Sequence, residues 1–200
     1  MSEWWTYRIR SFVLFSARTY ERLIEAYNAE LWPLQPALLL VALVLLVWLA
    51  RRHSVLRDRL LLGALAAAWC TVAWAFEHRR FASVNWAADY VAGVYALQAL
   101  ALGWAALRAA PALRNTAHAL DHLGLAIAAL ALAAWPLFTV SLGGAWSRAE
   151  MVGLMPAPTA LASLGVLLLA KPLRPWLLVV PLAACAFEGA LLWALYAGRG

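Results

Sequence analysis

The stretch LLVVPLAACAFEGALLWALY, residues 177–196, is an apolar run of 20 residues that holds a single acid, Glu188. A helix of about that length spans roughly 30 Å, the thickness of a bilayer's hydrocarbon core. Glu188 follows Arg174 by 14 residues and precedes Arg199 by 11. The cationic ends of the run are therefore roughly 16 to 21 Å away along a helix axis. An acid at such depth costs on the order of 2.5 to 3.5 kcal/mol and ordinarily faces a partner or a wet cavity. The same run thus predicts a membrane-spanning helix and marks a candidate functional side chain.

The rest of the chain agrees with that reading. Of its 200 residues 66% are hydrophobic and 13% charged, and the mean hydropathy is +0.75, outside the range of water-soluble globular domains. The formal charge of +6 does not point to nucleic acid, because the cations punctuate apolar runs rather than gather on one polar face. Cys70 and Cys185 both lie inside apolar runs, so no disulfide framework is indicated. The 12 tryptophans suit interfacial belts. The opening MSEWWTYRIR lacks the basic-then-apolar order of a signal peptide.

Ahead of the first apolar run, Tyr20, Leu23, Ile24, Tyr27 and Leu31 recur at helical spacing, with Arg18, Glu21, Arg22, Glu25 and Asn28 on the opposite side. This predicts an amphipathic helix over residues 16–30, lying on the membrane surface. Ser16 is its expected cap, Phe15 and Tyr20 its staple, and Pro33 and Pro36 its stop. Six spans are expected after it, near 33–50, 60–77, 86–107, 119–142, 157–171 and 174–196. The fold class is accordingly all-α: an interfacial segment over residues 1–32 and a six-helix transmembrane bundle over 33–200.

The loops carrying Arg51 to Arg59, Arg108 to Arg114 and Lys171 to Arg174 share one side of such a bundle. Lysines and arginines divide eight and eight between the two sides. The tight loop from Arg51 to Arg59 tips the balance, because close flanks weigh most, and both termini are expected outside the cytoplasm of a bacterial inner membrane. The fifth span is short, and AWSRAEMVGLMPAP before it is broken by Gly153, Pro156 and Pro158. That pattern suits either a capped surface loop or a segment that dips toward the bilayer, where irregular backbone must be satisfied by protein or a cavity.

Two constellations carry candidate chemistry. Glu77 and His78 close the second span, Asp89 opens the third, and Gln98 follows Asp89 by nine residues on a similar helical face. Glu188 approaches from the sixth span, so these five residues form a candidate site for a small solute or ion, able to relay protons or bind a cation. The bland alternative is an interfacial ion-pair cluster with Gln98 and Glu188 as interhelical glue. The second constellation is HALDH, in which His118, Asp121 and His122 share a helix face. Helix capping by Asn115 or Thr116 explains that run with fewer assumptions, so no metal and no other cofactor is assigned. The signatures of serine hydrolases, zinc proteases, phosphate loops and dinucleotide-binding folds are missing from the sequence, which argues against an enzyme.

The stretches EWWTYRIRSFVLFSARTYERLIEAYNAELWPLQ, VNWAADYVAGVYALQAL and AEMVGLMPAPTALASLG resemble an uncharacterised bacterial family of small multi-span membrane proteins, a domain of unknown function sometimes automatically named transporter permease. The resemblance implies one coherent fold and no particular activity, and it carries over no catalytic residue. The leading expectation is a membrane protein that binds or translocates a small solute or ion. An accessory subunit of a larger membrane complex is the alternative, and a metal-dependent enzyme at His118, Asp121 and His122 the weaker one. The expected partners are the lipid bilayer and either a second copy or a larger membrane complex.

Overall fold

A computed structural model describes residues 15–50, 54–109, 118–141, 145–170 and 172–196, and among them every regular element is helical. The first helix, α1 (Ala17–Glu30), begins where the Ser16 hydroxyl accepts the Thr19 N–H at 3.2 Å, and Phe15 stacks on Tyr20 as the staple requires. A turn over 31–33 bends the chain by 87° into α2 (Leu34–Leu49). Pro33 caps α2 and Pro36 falls in its first turn, where a missing N–H costs nothing.

Next come α3 (Val55–Thr71), capped by Ser54, and a π-helical continuation over Val72–His78. A 3-10 turn (Phe81–Ser83) leads to α4 (Ala88–Leu107). Beyond it, α5 (His118–Ala129) passes through a second π segment (Leu130–Ala134) into α6 (Trp135–Ser141). The final helices are α7 (Pro156–Leu169) and α8 (Val179–Tyr196), the latter preceded by a 3-10 turn over Pro175–Leu178.

Four helical stretches among the described residues are long and apolar enough to cross a membrane: Val55–Ser83, Ala88–Leu107, Ala119–Ser141 and Pro175–Tyr196. The α1 and α2 pair would supply a fifth if its bent halves formed one span. The helices in the places of the expected first and fifth spans have 16 and 14 residues, roughly 24 and 21 Å.

Hydrogen bonds between distant residues fix which helix ends lie together. Arg57, at the start of α3, donates to the carbonyls of Leu49 and Leu169, so the ends of α2 and α7 meet there. Arg174 donates to Ala105 and Arg108, and Arg59 to Ala109, which brings the end of α4 and the approach to α8 to the same end. Opposite lie α1, the π segment of α3, the start of α4 and the end of α8.

The backbones of α5 and α7 approach closely. A Cβ on Gly165 would stand 2.5 Å from the Ala128 nitrogen, and one on Gly124 2.8 Å from the Gly165 carbonyl, so only glycine lets these backbones approach. Trp69, fully buried in α3, donates to the Ser163 hydroxyl of α7 at 2.8 Å and packs its ring on Tyr95 of α4.

The apolar stripe of α1 has a different neighbour from the bilayer surface that its pattern suggested. Tyr20, Ile24 and Tyr27 are buried against Phe76, Phe81, Met151, Leu154 and Leu191. The helix is therefore a cap seated on protein. Its outer residues hold it in place: Arg148 donates to Glu25 at 2.6 Å and to Glu21 at 3.2 Å, the Tyr196 hydroxyl meets Glu21, and Arg80 pairs with Glu30.

Candidate functional site

The π-helical segment Val72–His78 widens the last turns of α3 and re-aims the side chains it carries. Phe76 and Glu77 turn inward, while His78 turns outward. Glu77 is 1% exposed, and neither of its carboxyl oxygens has a hydrogen-bond partner among the described residues. Buried polar atoms in native proteins are nearly always paired, so such an orphan marks a place for a water, a proton or a ligand.

Glu188 reaches the same region from the middle of α8. It is 4% exposed and lies within electrostatic range of Glu77 and Glu150. Two buried tyrosines lie in the same region. Tyr95 of α4 lies within range of Glu188, Glu77 and Cys185, and Tyr20 of α1 within range of Glu188, Glu150 and Glu77. Tyr20 of the cap is thus within electrostatic range of all three acids. Two cations that flank α1 are engaged with its own acids: Arg148 is bonded to Glu25 and Glu21, and Arg80 to Glu30.

Glu150 lies in the non-helical segment before α7. It accepts the Trp135 indole N–H at 3.0 Å, and its own backbone N–H donates to the Thr139 hydroxyl. Burial pushes its carboxyl above the usual range, and the indole N–H offsets part of that rise. At Arg148 the hydrogen bond to Glu25 raises the guanidinium above its ordinary value, against the lowering effect of burial. The segment itself is stitched to α7. Gly153, at a φ of +85° that favours glycine, donates its N–H to the Thr159 hydroxyl, which donates onward to the Met155 carbonyl. The backbone ahead of α7 is therefore satisfied by protein.

The five residues singled out by sequence do not all meet. Glu77 and Glu188 are both buried and lie within electrostatic range of each other. His78 and Asp89 instead bond to each other at 2.7 Å across the short turn, and both side chains are about half exposed. Gln98 has another task. Residue 181 is proline and lacks the N–H that would bond the Leu177 carbonyl in a continuing helix, and the Gln98 amide supplies that donor at 2.9 Å. Leu177 precedes Glu188 by 11 residues, roughly 16 Å along α8.

Tyr20, Tyr95 and Glu150 escaped sequence reasoning. Tyr20 was read only for the stripe and staple of α1, Tyr95 not at all, and Glu150 only as a charge beside a predicted break. In the HALDH run, Asp121 is partly buried and His122 exposed, while the His118 side chain and His53 lie outside the described residues. Among the described residues no three His, Cys, Asp or Glu side chains are placed to hold a metal ion.

A family of unknown function, DUF6064, matches residues 17–197 through its family model. No curated protein matches the chain, and no solved structure does.

Proposed function

We propose, from the premise that the chain belongs to DUF6064, a family of unknown function, that it is an integral membrane protein of the bacterial inner membrane that binds or translocates a small solute or ion. A proton or a small cation is what the charge of the site favours. The observation that carries this reading is Glu77, a carboxyl with both oxygens buried and unpartnered, with a second buried carboxyl, Glu188, within electrostatic range. Intramembrane acids without a cation partner are expensive and persist where charge has to be carried. Two carboxylates cannot both stay ionised in a medium of low dielectric without a counter-charge, and a proton or a bound cation provides one.

In this reading the chain crosses the bilayer six times, through α2, α3 with its π continuation, α4, α5 to α6, α7 and α8. The short α2 and α7 are accommodated by local thinning or tilt. α1 lies across the outer end of the bundle, with both termini outside the cytoplasm. The rise of Glu150 by burial and the two buried tyrosines support a water-poor approach to the two carboxyls from that face.

The test is a flux measurement in proteoliposomes enclosing a pH-sensitive dye, under an imposed gradient of protons, sodium or potassium. Wild-type protein is expected to dissipate at least one of these gradients. Glu77→Gln and Glu188→Gln are expected to abolish the flux while the protein still folds, and Gln98→Leu to retain it. Wild-type vesicles as tight as empty ones, with a pH profile of tryptophan fluorescence unchanged by Glu188→Gln, would overturn the reading.

A further inference from the structure

A cavity of about 300 Å³ separates α2 from α3 and α7. It runs along α2 from Leu34 to Leu49, and Ala64, Ala68, Leu132 and Val166 wall its inner side. The gap has a local cause. The alanines of α3 opposite α2 are too small to bridge it, and α2 buries only Gln35, Ala42 and Leu49 against the rest of the chain. The outward face of α2, including Leu40, Val44 and Val47, is more than half exposed.

The chemistry of the walls restricts the occupant. Thr71 is the single hydroxyl among the lining side chains, and it already donates to the Ala67 carbonyl at 3.0 Å. Water or a polar ligand would enter without a hydrogen-bond partner on those side chains and would lose its solvation. An empty hole is equally disfavoured. The cleft is partly open to the outside, and apolar walls with nothing packed against them forfeit their contacts. A compact apolar solute would leave the ends of so elongated a space unfilled. A single hydrocarbon chain fills it without leaving any polar group unsatisfied.

We infer that the cleft between α2 and α3 is a binding site for one acyl chain of a membrane phospholipid, entering sideways past the exposed face of α2. The chain acts as the missing side chains of this seam and holds α2 against the bundle. The inference rests on the membrane reading above but not on the carboxyl site.

The test uses the full chain extracted in detergent, with lipid content read by native mass spectrometry and lipid extraction. Wild-type protein is expected to carry about one phospholipid per chain, and its melting temperature is expected to rise when phospholipid is added back after delipidation. Ala68→Phe and Val166→Phe fill the cleft from α3 and from α7. Each is expected to carry at least tenfold less lipid and to melt at a temperature indifferent to added phospholipid. Val94→Phe, on the exposed side of α4, is expected to behave as wild type. Lipid-free wild-type protein with an unaltered melting temperature overturns the inference, as does lipid retained equally by both filled variants, or a dimer joined through α2 with no lipid present. Protein that needs no detergent would instead overturn the membrane reading, so the two failures are distinguishable.

Discussion

The two ends of the bundle treat buried charge in opposite ways. At the arginine end, Arg57 and Asp58 are 4% and 2% exposed, they pair at 3.3 Å, and the guanidinium also reaches the carbonyls of Leu49 and Leu169. One cation thereby neutralises its neighbour and ties three helix ends together. At the α1 end, Glu77 and Glu188 are buried to the same degree, yet neither forms an ion pair among the described residues. Desolvation is costly at both ends. A guanidinium offsets this cost at one end, and no described cation pairs with the two carboxyls at the other.

The contrast predicts effects of different size and sign. Arg57→Leu removes the guanidinium that faces Asp58 and two carbonyls, and is expected to destabilise the protein by about 3 to 5 kcal/mol, the usual loss when one partner of a buried pair is deleted. Chemical unfolding in detergent measures it. If Arg57→Leu unfolds like wild type, the arginine end is not the anchor described above. Gln98→Leu deprives the Leu177 carbonyl of its donor beside Pro181 and is expected to cost about 1 to 3 kcal/mol. Adding Pro181→Ala should recover much of that loss, because the helix then supplies its own N–H.

At the opposite end the sign changes. Glu77→Leu replaces an unpartnered buried carboxyl with an apolar side chain of similar bulk, and such replacements are often neutral or stabilising. The expected result is an unfolding midpoint equal to or above that of wild type, with any flux lost. A destabilisation as large as that of Arg57→Leu would mean that Glu77 has a structural partner, and the distinction between the two ends would collapse.

Much of the fold was legible because hydrophobic run length and cap chemistry are local. Ser16, Phe15 and Tyr20 announced the start of α1, and the apolar run over residues 177–196 announced a helix long and apolar enough to span. What α1 packs against was not legible. The Tyr20, Ile24 and Tyr27 stripe has the same spacing whether it meets lipid or protein, and only the long-range contacts of Met151, Leu154 and Leu191 decide between them. The π segment was hidden for the same reason, since VAWAFEH carries no residue that demands a wider turn. Within it Glu77 is buried and His78 exposed, so the two neighbours that sequence grouped together face different surroundings. Gln98 makes the interhelical bond that the bland alternative anticipated, but its acceptor was hidden, because the need for a donor arises at Pro181, 83 residues further along the chain.

The smallest effect belongs to Glu150, at the edge of the carboxyl site. Its folded-state carboxyl is raised by burial, with part of the rise cancelled by the Trp135 indole N–H. A carboxyl raised on folding binds its proton more tightly in the native state than in the unfolded one, so it favours folding most at pH values below the unfolded pKa. That contribution disappears as the pH climbs from about 4.5 through the folded value. Wild-type stability in detergent is therefore expected to decline over this interval, and Glu150→Gln to decline less while still accepting the indole N–H through its amide oxygen. Trp135→Phe provides the converse. Without the indole donor the carboxyl rises further, and the decline should extend to higher pH. Superimposable pH profiles for wild type, Glu150→Gln and Trp135→Phe would show that Glu150 is solvated in the membrane-bound protein. The carboxyl site would then open to water at this edge, with α1 no longer sealing it.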